Sequence, residues 1–414
     1  MQPKRCRAAH ILTSRVSLIV EVIAPDSDVF QMESAQLPDS LVASTSVTGA
    51  IFHDVRGLTS NSSLGSFRPP TRIYRAGAVV VGAPIDRLQS DKLRSVTAFF
   101  PGISAWAGMS AAEEARKENE TGGLQSWSVK LESGADEIAS LPGGRELKLS
   151  THWSVDGPYD RRVIYAPISM TVSNKDPAHW AEFMQPLLAF QGLISMAHTG
   201  LVLADGGLAE LDLQKDAPRG QNPTWWTARL MRQDPGARLP KSMNEFPSFY
   251  LDTVGGIEGV RRWVQLAKRY PRAVGPVIAM HRYGPAAAET RLLEVAAAME
   301  YWVGVHRHTT AWAKKGTHES IAHAMATRGG SAFAAWVKDS QKWAETFWAM
   351  YNTLKHNPNG TYDVLDVHRL AESGMRLLQC VLLNRVAGTV TPARSICSSH
   401  QNYELGRQVA EQIG

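Results

Sequence analysis

Cysteine is scarce in this chain. Cys6, Cys380 and Cys397 are scattered, odd in number, and form no CxxC pair. Neither a disulfide framework nor a cysteine zinc site is suggested, and a reducing compartment fits best. Long apolar runs are missing too. No stretch of about 18 apolar residues is available to span a bilayer, and in the N-terminal MQPKRCRAAHILTSRVSLIVEVIA, Arg15 and Glu21 interrupt the apolar run that a secretory signal needs. A soluble, cytoplasmic protein with no membrane partner is expected. There is no GxxxxGK[ST], and no GxGxxG follows a strand-like segment, so nucleotide hydrolysis and dinucleotide redox chemistry have no support. Seven of the 13 histidines lie beyond residue 300, but their spacing matches no ligand pattern such as HExxH and carboxylates are not interleaved with them. No metal and no cofactor is expected. Charge of one sign is barely in excess: 44 Lys and Arg against 39 Asp and Glu, net +5, which tolerates a polyanionic partner without demanding one.

What is present is an ordinary globular composition, 44% hydrophobic and 20% charged over 414 residues, enough chain for two or three domains. Up to about residue 175 the texture is that of strands and loops, with short β-branched runs bounded by Gly, Pro, Asn and Asp. RIYRAGAVVVG (72–82), LQSWSVKLES (124–133), LKLSTHWSV (147–155) and RRVIYAPISMTVS (161–173) are the clearest strands. Tyr165 to Thr171 partly alternates, as a sheet with one wet face would. Asp176 then offers a cap and Pro177 a first position for a helix near 177–198, with Trp180, Met184, Leu187, Leu188 and Ile194 at helical spacing to pack on that sheet. A further β-like stretch, TWWTARLMR (224–232), extends the β-rich N-terminal domain over 1–245.

A bridging helix and linker occupy 246–282. In GGIEGVRRWVQLAKRYPRAVG (255–275), Ile257, Val260, Val264 and Ala267 form one stripe and Pro271 stops the helix. Arg261, Arg262, Lys268 and Arg269 lie largely off that stripe, on a face either solvated or in contact with RNA. From 283 to 414 the chain reads as a helical domain, with helices over 286–305, Ser331–His356 and 363–386 and a loop or short excursion over 310–330. The fold class expected is α+β: a β-rich N-terminal domain followed by an all-α bundle.

One helix end carries candidate chemistry. In MYNTLKHNPNG (350–360), steps of 100° place Trp336, Trp343, Phe347, Met350 and Leu354 within about 60° of one another and Asn352 and His356 on the opposite side. Asn352 and His356 are surface neighbours at spacing four, and Lys355 is within reach of Asn352. The bland reading is a solvated helix end, because cations suit a C-terminus and Asn-Pro-Asn-Gly is an ordinary stop.

Family resemblance adds a sharper reading. YNTLKH resembles the signature of HEPN domains, an Arg followed by a polar residue, three variable residues and a His, with Asn352 and His356 at the matching places and Tyr351 where the signature has Arg. AETRLLEVAAAMEYW (288–302), with Ala298 and Glu300, resembles the first helix of that domain. PLLAFQGLISMAHTGLV (186–202) is similar to the helix that ends the N-terminal region of ApeA-type anti-phage proteins. The resemblance spans roughly residues 60–390. It implies a metal-independent endoribonuclease of anti-phage defence (abortive infection), with RNA, tRNA among the candidates, as substrate, a homodimer formed through the HEPN helices, and a phage-derived trigger at a sensor-like N-terminal domain. It assigns His356, Asn352 and Lys355 to catalysis, with Tyr351 and Glu300 in support. Arg307, Lys314, Lys315 and Arg369 are further cations that could stand in for the signature Arg. The alternative is a catalytically weakened relative that binds or regulates without cleaving, because a neutral Tyr lacks the charge and planar fork that Arg offers a phosphate.

Overall fold

The computed structural model describes residues 4–5, 9–13, 18–23, 40–44, 48–61, 71–84, 90–212, 223–243, 246–313, 318–357 and 359–414. Cys6, Arg15, Lys314, Lys315 and Gly316 lie outside the described residues. The strands run in chain order as β1 (Lys4–Arg5), β2 (Ala9–Thr13), β3 (Leu18–Ile23), β4 (Ser40–Ser44), β5 (Thr48–His53), β6 (Arg56–Asn61), β7 (Thr71–Ala76), β8 (Ala78–Pro84), β9 (Leu93–Phe100), β10 (Ala112–Glu118), β11 (Leu124–Leu131), β12 (Glu137–Leu141), β13 (Arg145–Thr151), β14 (Ser154–Asp156), β15 (Val163–Tyr165), β16 (Ile168–Ala178), β17 (Gly207–Leu211) and β18 (Thr224–Thr227). Short helices α1 (Ser104–Ala107) and α3 (Ala228–Met231) flank the long α2 (Ala181–Ala197). Helices then take over: α4 (Gly256–Arg269), α5 (Pro271–Ala279), α6 (Ala288–His306), α7 (His318–Val337), α8 (Ser340–His356), α9 (Val364–Ala387), α10 (Thr391–Ser398) and α11 (His400–Ile413). The expected α+β class, β-rich first and all-helical after, is what the chain adopts.

The main sheet has ten strands in the order β1-β4-β5-β8-β18-β17-β9-β16-β13-β12, antiparallel throughout except for the parallel β1–β4 pair. A four-stranded sheet, β2-β3-β7-β6, and two hairpins, β10–β11 and β14–β15, complete the strands. RIYRAGAVVVG therefore supplies two strands, β7 and β8, to two different sheets, separated at Gly77.

Alternation decides which face of the main sheet is wet. In β9, Leu93, Val96, Ala98 and Phe100 are buried, while Ser95 hydrogen-bonds Glu210 and Thr97 meets the Thr171 hydroxyl at 2.8 Å on the other face. Gly207 allows the neighbouring strand to close over Trp225. A Cβ there would lie 2.3 Å from both the Thr97 carbonyl and the indole, whose Nε1 donates to the carbonyls of Thr97 and Leu208.

Helix α2 covers the apolar face, with Phe190 edge-on to Phe100 and Trp106. It starts four residues later than the sequence predicts. Asp176 and Pro177 belong instead to the end of β16, where Ala178 still pairs with Leu93 after a bulge, so sheet pairing overrides the local cap signal. Almost every residue of α2 from Phe183 onward is buried, because α4 and α5 close over its outer side.

The predicted bridging helix is two helices. Pro271 ends α4 and begins α5 at its first position, where a missing N–H costs nothing. Trp263 of α4 donates to the Ala189 carbonyl of α2, and Arg262 donates to the Val386 carbonyl of α9, so α4 is bonded to both layers. One hydrophobic core runs without interruption from Val42 of the sheet to Ile413 of the last helix.

At the centre of the bundle is α9, capped by Asp363 and buried on most sides. Gly374 permits α6 and α8 to approach it together: a Cβ there would lie 2.7 Å from Phe347 and 3.0 Å from Val295. Two predicted boundaries need correction. The helix expected over Ser331–His356 breaks at Lys338, whose φ is 69°, and restarts where the Asp339 carboxylate accepts from the backbone N–H groups of Gln341 and Lys342. The loop expected over 310–330 is largely helical. Ile321, Ala322, Met325 and Ala326 recur at helical spacing and are buried, and Gly330, at φ 82° and ψ -174°, breaks the helical backbone at a kink between two helical segments.

Candidate functional site

Helix α8 positions the candidate residues. Its N-cap at Asp339 and the Lys355 cation in its last turn suit the helix dipole. Trp343, Ala344, Phe347, Trp348 and Tyr351 form its buried stripe, whereas Met350 and Leu354 are half-buried and Trp336 belongs to α7. The stripe is thus rotated from the predicted one toward Tyr351. Asn352 and His356 remain exposed on the side away from the core, as the helical projection requires.

Tyr351 is 5% exposed, its ring 5.0 Å from that of Trp348. Its hydroxyl accepts a hydrogen bond from Lys355 Nζ at 2.8 Å, and the ammonium sits 4.9 Å from the ring centroid. The bond to Tyr351 and the nearby Glu300 carboxylate of α6 raise the Lys355 pKa above its ordinary value, so the ammonium stays charged across the physiological range. The structure therefore gathers Tyr351, Lys355 and Glu300, three of the five candidates, into one electrostatic cluster. Asn352 and His356 are exposed on the neighbouring face of the same helix. The Tyr351–Lys355 contact was not foreseen, although spacing four on one helix was a sufficient signal.

The other sequence candidates are placed elsewhere. Arg369 pairs with Asp366 at 3.1 Å one turn along α9, and Arg307 is exposed. His306 is a packed histidine: Nδ1 lies 2.8 Å from the Trp302 carbonyl, and the ring sits among Trp302, Tyr270 and Trp312. Trp225, Trp302, Trp343 and Trp348 are core residues. On the basic side of α4, Arg261 pairs with Glu258 at 2.6 Å and Arg262 is engaged at α9.

Several buried polar groups were invisible in the sequence. His53 is fully buried, stacked on Trp180, with neither ring nitrogen hydrogen-bonded. Its pKa is lowered to about 3 by burial and by the neighbouring His179, with Asp91 opposing. His281 is lowered to about 3 by burial and by Arg376, Arg238 and Arg291. No local pattern marks either, because their neighbours come from distant segments.

The fold and site define a class: a β-rich module under a helical bundle whose α8 ends in an exposed polar cluster. Residues 52–256 match the family model of the ApeA N-terminal domain 1, from the end of β5 to the first residue of α4. That match supports an ApeA-type protein, and the domain family is associated with anti-phage defence. No curated protein and no solved structure matches the chain. No helix among the described residues is long and apolar enough to cross a membrane.

Proposed function

We propose that this protein is a metal-independent endoribonuclease of the HEPN type acting in anti-phage defence, with tRNA as a candidate substrate. The observation that carries the reading is the end of α8, where an ammonium held by the Tyr351 hydroxyl, with the Glu300 carboxylate near it, shares the last turns of the helix with the exposed His356 and Asn352. In the reaction, a neutral imidazole takes the proton of a ribose 2′-OH, whose oxygen attacks the adjacent phosphorus. The bond from phosphorus to the 5′-oxygen breaks and that oxygen takes up a proton, leaving a 2′,3′-cyclic phosphate and a 5′-hydroxyl. Lys355 offsets the charge that develops on the phosphate oxygens, and Asn352 orients the imidazole or the phosphate. Because His356 and Asn352 project outward, a second copy of the chain completes the pocket in a homodimer.

The N-terminal domain is the sensor in this reading. Apolar surface on its two hairpins, Leu124 and Trp127 on β10–β11 and Val163 and Ile164 on β14–β15, supports contact with a phage-derived trigger.

The opposing reading, a regulator that binds without cleaving, is favoured by one observation: the residue at the signature Arg position is buried and cannot itself reach a phosphate. Incubating the purified protein with total tRNA in EDTA, with and without lysate from phage-infected cells, separates the two. Cleavage that leaves cyclic-phosphate ends and disappears in His356→Ala supports the enzyme. Full-length protein that stays folded and inert under both conditions supports the regulator.

A further inference from the structure

The end of α6, the turn that follows it, α7 and the end of α9 enclose a pocket of about 300 Å3, at the lower end of small-molecule sites. No residue of α8 lines it, so it is separate from the Tyr351–Lys355 cluster. Its inner wall is aromatic. Trp302 and His306 of α6 have ring centroids 4.3 Å apart, and Trp312, in the turn after α6, stands 5.7 Å from His306. The rim is tied down by Asn384 of α9, whose side-chain amide donates to the Arg328 carbonyl of α7 at 3.2 Å and accepts from the Ala393 N–H of α10 at 3.1 Å. Three helices are thus bonded around the opening, which is formed before anything enters it.

Two guanidiniums stand at this pocket, and no Asp or Glu is among its described lining residues. Arg328 lies over the Trp312 ring, 4.9 Å from its centroid. Neither Arg328 nor Arg385 has a carboxylate partner among the described residues, and both side chains are exposed. Their attraction for an anion is therefore screened by solvent but not cancelled by a neighbour. Deeper in, two polar atoms are unmet. Trp302 is 2% exposed and its Nε1–H has no acceptor, and a buried donor left unpaired costs about 1–3 kcal/mol. The Trp302 carbonyl takes His306 Nδ1, which leaves Nε2 as the open nitrogen of that ring.

We infer that this pocket binds a single nucleotide unit, its heteroaromatic base against Trp302, His306 and Trp312 and its phosphate toward Arg328 and Arg385. A purely apolar ring would leave the Trp302 donor unmet, whereas a base brings ring-nitrogen and carbonyl acceptors together with a face that stacks on aromatic side chains. Arg in turn offers phosphate a planar fork of donors. A free mononucleotide and one residue of a single strand share this chemistry. The inference does not rest on the ribonuclease reading, because a mononucleotide has no internucleotide bond to cut and no residue of α8 takes part.

The test is isothermal titration of the full chain with AMP, GMP, CMP and UMP, with the matching nucleosides, and with a mixed-sequence 2′-O-methyl oligonucleotide, which lacks the hydroxyl needed for cleavage. Wild-type protein should bind at least one monophosphate at one site per chain, more tightly than its nucleoside. Arg385→Met, at an exposed side chain with no carboxylate partner, should weaken the monophosphate by about fivefold or more and leave the nucleoside unchanged. Trp312→Ala should weaken both by about fivefold or more, and Trp312→Phe, which keeps a stacking ring, should recover most of the loss and serves if alanine disturbs the fold. An oligonucleotide that binds more tightly than any monophosphate and is weakened by the same substitutions assigns the unit to a strand; one that binds more weakly assigns it to a free mononucleotide. Failure of all four monophosphates and the oligonucleotide to bind, or binding that Arg385→Met and Trp312→Ala leave unchanged, overturns the inference. Equal loss of monophosphate and nucleoside in Arg385→Met overturns the placement of the phosphate.

Discussion

Tyr351 stands at the signature Arg position in the proposed ribonuclease reading, and its two halves do separable work. The ring is core: 5% exposed and packed on Trp348. The hydroxyl is electrostatic: it holds Lys355 at 2.8 Å. Truncation to Ala removes a buried aromatic side chain and leaves a cavity between α8 and its neighbours, a change that costs about 3–5 kcal/mol for rings of this size. Tyr351→Phe keeps the packing and removes one bond to a solvent-exposed ammonium that water solvates in its place, so its effect should be a small fraction of that cost. Urea unfolding followed by far-UV circular dichroism measures both. In Tyr351→Phe the Lys355 ammonium also loses the largest influence raising its pKa, so its amine should react faster with an acylating reagent at fixed alkaline pH. If Tyr351→Phe destabilises as much as Tyr351→Ala, or if Tyr351→Ala falls within about 1 kcal/mol of wild type, below the range for a buried ring, the division into packing and positioning is wrong.

Other consequences are equally concrete. His53 is neutral in the folded protein at pH 7 and its folded pKa lies below the unfolded one, so its contribution is complete above about pH 6.5 and is lost as pH falls toward 3. With each pKa unit worth about 1.4 kcal/mol, its displacement from 6.5 caps that loss near 5 kcal/mol, and His53→Phe, which keeps the stack on Trp180, should flatten the acid limb of a stability–pH curve. An unchanged acid limb would refute this assignment. Gly374→Val should cost about 1–3 kcal/mol by overpacking against Phe347 and Val295, as read from the urea midpoint. Asp339→Ala should cost about 1 kcal/mol through loss of the α8 cap, and Asp339→Asn much less. Should the protein cleave tRNA, Lys355→Met should lower the single-turnover rate by about a hundredfold while leaving the fold intact, and a smaller effect on rate than on RNA affinity would move Lys355 from charge stabilisation to binding.

What the chain's local chemistry determined by itself is the kind of most elements, though not of 310–330, which is largely helical. Alternation wrote β16, apolar periodicity wrote α6 and α9, and the projection of α8 turned Asn352 and His356 outward, because these depend on residues a few positions apart. The tertiary structure decided the rest. Sheet pairing with Leu93 drew Asp176 and Pro177 into β16 and delayed α2, and the rotation of the buried stripe of α8 took Tyr351 into the core. Glu300 came to Lys355 from another helix, and Trp302, Arg328 and Arg385 met around one pocket only when α6, α7 and α9 packed together. Such encounters join residues tens of positions apart, and no period in the sequence encodes them, because long-range packing selects among local preferences that are each worth too little to decide alone.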